Sequence, residues 1–494
     1  MIDNNRAHDT RWRALALLAV TQFVVVLDIT IVSIALPTIK TALGFSQEGL
    51  QWIVDAYMLT FGGFLLLGGR AADLFGRRRV FMTGLVVFGL GSLACGFAAS
   101  AGQLVAARAV QGLGGAILSP AALSLVAVTF TNDKERNKAM GIWSAVAGAG
   151  GAAGLVLGGV LTDGPGWRWV FWVNVPFVLG SALLAPRILP AWRGAAGARH
   201  FDLLGALTVT LGLTGLIYGL VAVEEAGVRS PRALVSLAAA VVLLAAFVAV
   251  ERRSAYPLVP FRIFRLRAPT SANVTMLIFA AGVIAMNFFI TLYLQQVLGY
   301  SPIAAGLAFL PMACGQIIFS NVASRVIGKV GVLRTLVLGL VASGLAFIWF
   351  GRISATGSFL TDVLGPAVLL SIGGGFTIVA LVVAAVSGVP EEDTGLAGGL
   401  INMSQQIGGA IGLALLSTLA AWRATSVAAH GTVNGAALTA GFRAGFYVAA
   451  GLTLLAAVGA ALMLRGGALA PPPAPAAAPP EQPAGLGSAP ATAS

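Results

Sequence analysis

Long continuous apolar runs separated by short polar segments fill this chain from its first tens of residues to position 464. A helix needs roughly 20 apolar residues to cross a bilayer core. Runs of that kind occupy 14–36, 50–69, 80–99, 103–128, 139–161, 169–189, 203–223, 233–250, 270–297, 303–324, 334–350, 363–387, 398–422 and 443–464. They are continuous rather than alternating, which predicts helices and not the strands of a barrel. The first run is too long for a cleaved signal peptide and carries Asp28 inside it, so it reads as a span. The expected fold is therefore an all-α polytopic membrane protein with fourteen transmembrane helices.

Composition agrees. The chain has 494 residues, of which 58% are hydrophobic and 10% charged, whereas soluble domains run near a quarter charged. In water such a chain would expose large apolar patches. Its 63 glycines suit helices that approach closely in lipid. Cys95 and Cys314 both lie within apolar runs, so no disulfide framework and no metal site is expected.

The net charge of +12 is distributed unevenly. Counted over alternate connections, one set of loops holds 22 Lys and Arg residues and the other 7. Positive charge favours the cytoplasmic side, which places both termini in the cytoplasm. The basic balance is thereby accounted for without nucleic acid. The segment after Leu469 is rich in Pro, Ala and Ser, and 465–494 reads as a disordered cytoplasmic tail.

Ionisable residues within a span are costly and mark function by default. Asp28, Asp55 and Arg108 are the candidates. At 1.5 Å per residue, Asp28 lies about 12 Å below the outer edge and Asp55 and Arg108 about 8 Å, so all three share the outer half. A carboxylate and an arginine at like depth can neutralise each other, and a carboxylate with no fixed partner holds a proton. Asp28 ranks first, being too short to reach the interface, then Arg108, then Asp55, which reaches the outer interface equally well. Proton coupling is the role expected of these three, with Asp28 changing access as the protein moves.

Polar stripes add a candidate substrate cavity: Asn287, Thr291 and Gln295, then Gln316 with Ser320 and Ser324, then Asn402, Gln405 and Gln406, with Tyr57 and Phe288 as aromatic surface. Each stripe faces a water-filled cavity or else makes interhelical hydrogen bonds worth about 1 kcal/mol. Gly150, Gly154, Gly158 and Gly159 recur at helical spacing, as for a close contact between helices. R-V-I-G-K at 325–329 aligns with D-L-F-G-R at 73–77, a trace of repeated halves of the kind many transporters use. The halves would be 14–189 and 270–464, each a six-helix bundle. Residues 190–269 would then be a linker with an inserted helix pair, and 1–13 a cytoplasmic N-terminus.

No G-x-x-x-x-G-K-[ST] loop occurs, so ATP is not the expected energy source. No metal or catalytic constellation is visible, and the chain does not read as an enzyme. Expected cofactors are none, with the proton gradient as the energy source.

Gly69, Asp73, Gly76, Arg77, Arg78 and Arg79 fit G-x-x-x-D-x-x-G-R-[RK]-[RK], and the segment resembles the signature loop of the major facilitator superfamily. The chain looks like that family's fourteen-span drug:proton antiporter branch over nearly all its length to about Arg465. Asp28, Thr30, Ala35, Leu36 and Pro37 fit its first-helix motif. Arg108, Gln111, Gly112 and Gly115 fit the fourth-helix motif, which the family links to proton coupling. Trp167, Arg168, Trp169, Phe171, Asn174 and Pro176 fit the sixth-span entry, and Phe201, Asp202 and Gly205 the start of the inserted pair. The glycines from 150 to 159 fit the antiporter motif, with Leu155 where the motif has proline. The resemblance implies that the loop from Gly69 to Arg79 gates the conformational change. Arg77 to Arg79 are expected to meet the acidic turn Glu391, Glu392 and Asp393.

The expected function is export of small, largely apolar compounds, drugs or antibiotics, in exchange for protons by alternating access. Expected partners are the substrate, protons and the lipid bilayer, with no nucleic acid. The protein is expected to act as a monomer in a bacterial plasma membrane. An uptake permease or lipid flippase on the same scaffold, or a membrane receptor or scaffold without transport, would share most of these features.

Overall fold

The computed structural model describes residues 2–46, 49–130, 133–189, 202–227, 229–254, 257, 262–389, 394–428 and 434–464. Among these, every ordered element is helical. The first group comprises α1 (Ile2–Leu43), α2 (Trp52–Phe75), α3 (Arg77–Phe97), α4 (Ala101–Thr129), α5 (Asp133–Asp163), α6 (Trp169–Trp172) and α7 (Asn174–Ile188). A pair follows, α8 (Leu203–Ala226) and α9 (Pro231–Arg253). The last group comprises α10 (Arg267–Leu292), α11 (Pro302–Ala308), α12 (Leu310–Val330), α13 (Val332–Phe350), α14 (Gly365–Val386), α15 (Thr394–Val427) and α16 (Gly435–Leu464). Short π-helical turns at Tyr293–Val297 and Phe359–Leu364 extend α10 and precede α14. Helical structure covers each of the fourteen apolar runs, and eleven helices among the described residues are long and apolar enough to cross a membrane.

Local chemistry sets the ends. Ser100, Ser230 and Ser301 each accept a hydrogen bond from the backbone three residues on, and a proline follows at once in the last two. Those are the preferred starts of a helix. Gly76 separates α2 from α3 at φ 92, a conformation that a side chain resists. Its counterpart is Gly331 at φ 88, which separates α12 from α13. The repeat therefore runs three residues out of the expected register. Gly328 is not the turn glycine, because α12 continues almost one further turn to Val330.

Within the first group α1 packs on α5, α2 on α4, α3 on α4, and α3 on α7. Within the last group α10 packs on α15, the α11–α12 segment on α14, α13 on α14, and α13 on α16. The order of partners is the same. Between the groups α2 lies on α15, and α5 meets α11 and α12. The α8–α9 pair attaches through α8 to both α2 and α15.

The buried core runs most widely across both groups at one end. There Leu36, Ile39, Ile53 and Phe171 share one cluster with Phe289, Tyr293, Phe350 and Phe446. At the other end two clusters separate, one centred on α1–α4 and one on α10, α13, α14 and α16, and α15 contributes to both. Two polar contacts also tie the groups together at the closed end. Gln295 Nε2 donates to Ile34 O at 2.8 Å, and Ile303 N donates to Asp163 Oδ2 at 3.1 Å.

Candidate functional site

The strongest polar feature lies inside the first group. Asp28 projects from α1 toward α3, α4 and α7 and is fully buried, as is Arg108 on α4. Arg108 Nη1 stands 2.8 Å from Asp28 Oδ2 and donates also to Gln111 Oε1 at 2.8 Å. Its Nε donates to Ile53 O of α2 at 3.0 Å. Asp28 Oδ1 accepts from Gln111 Nε2 at 2.8 Å and from Asn174 Nδ2 at 2.7 Å. Ser92 Oγ accepts from both amides and donates to Phe171 O at 2.8 Å. The guanidinium lies 4.3 Å over the Tyr57 ring. A buried charge is tolerated where a partner and hydrogen bonds satisfy it, and here five helical segments supply them.

This geometry joins two of the three expected coupling residues, Asp28 and Arg108. Asp28 accepts three hydrogen bonds, from Arg108, Gln111 and Asn174, all within its own group. Arg108 does not extend to an interface; its stem is enclosed by α2 and α4, where Gly112 meets Tyr57 O and Thr60 Oγ1.

Asp55 is different. It too is fully buried, yet neither carboxylate oxygen has a hydrogen-bond partner among the described residues. Gln51, one helical turn earlier, is equally buried, and its amide nitrogen and oxygen are likewise unpartnered. Residues 51, 55, 58 and 62 fall on one face of a helix at 100° per residue. Gly62 approaches Gln406 and Met58 approaches Gly409, so that face is turned to α15 in the opposite group. Asp55 therefore does not reach an outer interface; it lies where the two groups meet.

The expected cavity residues divide. Tyr57 lies on the α4 side of α2, beneath Arg108 and 5.7 Å from the Phe61 ring, so it does not face the seam between the groups. Phe288, Thr291 and Gln406 are buried, and Thr291 donates to Asn287 O within its own helix. Asn287 and Asn402 likewise bond their own helix backbones, at Val283 O and Gly398 O. Gln295 bridges to α1, and Gln316 is half-buried against Gly374 of α14. Gln405 is half-buried beside Gln406. Asn287, Thr291, Gln295 and Asn402 thus have hydrogen bonds, whereas Gln406 Nε2 is buried with no hydrogen-bond partner among the described residues.

The glycine stripe of α5 has two faces. Gly150, Gly154 and Gly158 abut backbone carbonyls of α1 at Phe23, Leu27 and Ile31. Gly159 abuts Ile303 of α11, where an added Cβ would sit 2.5 Å from Ile303 Cα. Only Gly159 therefore serves the contact between groups. In the expected gating loop, Gly69 lies near Pro120 and Arg78 Nη1 donates to Leu189 O at 3.1 Å. Arg79 is exposed and Arg77 half-buried. The Asp73 side chain, the turn Glu391 to Asp393 and the tail from 465 lie outside the described residues.

The model of the Major Facilitator Superfamily matches residues 18–413. The chain belongs to the Major Facilitator Superfamily. It is 41% identical to the cephamycin export protein CmcT of Amycolatopsis lactamdurans over 413 residues, 83% of this chain and 85% of that protein. It is 39% identical to the puromycin resistance protein of Streptomyces alboniger over 456 residues, 91% and 90% of the two chains. Among solved structures it resembles the peptide transporter POT in complex with sulfate, with a TM-score of 0.68, 16% identity, and coverage of 91% of this chain and 94% of that one. That likeness concerns the fold alone. This facilitator-superfamily member is thus a multi-pass membrane protein whose bacterial relatives are antibiotic export and resistance proteins.

The partners of Asp28 were missed as site residues at the sequence level. Gln111 and Asn174 stand out only as motif positions, and Ser92 carries no signal. Gln51 was missed as well; a glutamine one turn before an acidic residue at the start of a span was the available sign.

Proposed function

We propose that this protein exports small, largely apolar compounds across a bacterial plasma membrane in exchange for protons. In this reading the chain belongs to the fourteen-span drug:proton branch of its family. Residues 14–189 and 270–464 are six-helix bundles that alternate their exposure, and 190–269 carries the inserted pair. Both termini are cytoplasmic, the tail from 465 is accessory, and the protein acts as a monomer. The recurrence of the same packing partners in the two groups supports the two-bundle reading. The charge bias supports the orientation. With that orientation the continuous core lies at the outer end, so this conformation is closed outward.

The observation that carries the proton reading is Asp55. An unpaired carboxylate in an apolar interior costs several kcal/mol, so this one is neutralised by a proton or a cation. It also faces the seam that must open. Asp28 and Arg108 act beside it as a fixed ion pair that holds α2, through Ile53 O, to α1, α3 and α7. The names of the relatives support antibiotic-like cargo.

The test is substrate efflux from inverted vesicles under an imposed pH gradient. Wild type is expected to accumulate substrate only with the gradient, and Asp55→Asn to lose that dependence. Accumulation by wild type that ignores the gradient would remove proton exchange.

A further inference from the structure

Two π-helical turns stand at the closed end, and one side chain joins them. The first, Tyr293–Val297, ends α10. In it Leu298 N donates to Tyr293 O at 3.0 Å, five residues back, and Tyr300 N donates to Leu294 O at 2.8 Å, six back. The second, Phe359–Leu364, follows the capping box of Ser358 and Thr361. Tyr293 Oη lies 2.6 Å from Ser354 O and 2.9 Å from Asp362 Oδ2, so the first turn is fixed to its own group at its start. Two residues on, Gln295 Nε2 crosses the seam to Ile34 O of α1 at 2.8 Å. Ile34 lies just before Pro37, which has no N–H and interrupts the backbone ladder of α1. The contact between the groups is therefore made at an irregular turn on each side.

A π-turn carries one residue more than the α-turn it replaces, and such turns are rare and collect at functional sites. Returning this one to α-helix would turn the residues after Tyr293 about the axis of α10 by up to roughly 100°, the angle of one residue. Gln295 would then leave Ile34 O. We propose that the π-turn of α10 is a latch: wound as it is, it holds Gln295 on α1, and its relaxation to α-helix withdraws Gln295 and frees the closed end to open. This rests on the reading of two bundles that alternate their exposure, and it is independent of cargo and of proton exchange. Neither partner is charged, so the bond is weak enough to be made and broken in each cycle. Gly299, at φ 71, follows at once and has the conformational freedom to take up the change before α11 begins.

Spin labels at Thr41→Cys on α1 and Arg352→Cys in the last group, both exposed positions, read the width of the closed end in a background lacking Cys95 and Cys314. The full-length protein in lipid nanodiscs is measured by electron–electron double resonance, and the ratio of long to short distances counts open against closed. Gln295→Leu is expected to raise that ratio about fivefold, the scale of one uncharged hydrogen bond. Deleting Gln296 makes Leu298 the fourth residue after Tyr293, so the turn closes as α-helix with Gln295 still present. The deletion should raise the ratio as much, and Gln296→Ala should leave it unchanged. Tyr293→Phe should raise it too, with no further gain when combined with Gln295→Leu, because both act through one turn. The thermal midpoint of each variant shows that it is folded. Two distances in wild type whose ratio Gln295→Leu does not move overturn the latch. A folded deletion variant that stays closed does the same. Should the deletion not fold, additive effects of Tyr293→Phe and Gln295→Leu overturn it. A single distance common to wild type and every variant removes the alternation of the two bundles as well.

Discussion

Arg108 is the residue whose removal should cost this protein most. Its guanidinium is the counter-charge of Asp28 in an interior that excludes water, and it also carries Gln111 and the carbonyl of Ile53. Deleting one partner of a buried pair leaves the other uncompensated, at a cost of about 3–5 kcal/mol. Arg108→Ala is expected to lose that much unfolding free energy in detergent micelles, and Asp28→Asn combined with Arg108→Leu markedly less. Additive losses in the double variant would mean the pair does not act as a unit. The ion pair of Arg11 and Glu135, 3.5 Å apart with side chains 38% and 31% exposed, is the contrast. Its removal should shift stability by less than about 1 kcal/mol, because water already screens it. Depth along the helix brought Asp28 and Arg108 together in the sequence reading. The sequence ranks Asp28 over Asp55 for carrying protons; it does not show that Asp28 has three donors and that Asp55 has no hydrogen-bond partner among the described residues, because both facts depend on neighbouring helices.

At the scale of elements, α5 is a helix with two duties. Its Gly158 face lies on α1, where an added Cβ would stand 2.6 Å from Ile31 O, inside one group. Its Gly159 face lies on α11, across the seam. Backbone atoms cannot rotate away as a side-chain tip can, so a methyl group must push the helices apart. Gly158→Ala is expected to lower the unfolding midpoint. Gly159→Ala should instead move the population toward the conformation in which α5 and α11 separate. Spin labels near the two ends of the Asp163–Ile303 contact report this by electron–electron distance: the longer distance should grow in Gly159→Ala. An unchanged distribution would show that α5 and α11 part elsewhere. Four-residue spacing made the stripe visible in the sequence. It did not divide the stripe between two partners, because consecutive residues 100° apart meet different neighbours only once those neighbours are positioned.

For the whole molecule, the end at which the core runs most widely across both groups defines the conformation, and under the proposed orientation that end faces outward. In a background lacking Cys95 and Cys314, Arg352→Cys is expected to react with a membrane-impermeant maleimide in intact cells. Arg79→Cys should react only after the membrane is opened. The reverse pattern would invert the orientation, and with it the statement that this conformation is closed outward. The loop between α13 and α14 at that end is well tied. Tyr293 Oη lies 2.6 Å from Ser354 O and 2.9 Å from Asp362 Oδ2, so its one proton is within reach of both acceptors and ties the two π-helical turns together. Tyr293→Phe is expected to destabilise by about 1 kcal/mol, the scale of the one bond lost.

The order of residues alone determined that the chain is helical and membrane-embedded, where its apolar stretches lie and which loops are basic. It also gave the family resemblance and the like level along their helices at which Asp28 and Arg108 meet. These are properties of a chain read along its axis, since length, hydropathy and rise per residue need no neighbours. Tertiary structure decided the rest: that Asp28 is held by donors from α4 and α7, that Asp55 and Gln51 are left without any among the described residues, that Tyr57 turns inward, and that Gly331 is the mate of Gly76. Each depends on which helix stands beside which face, and that is set by packing between segments tens to hundreds of residues apart.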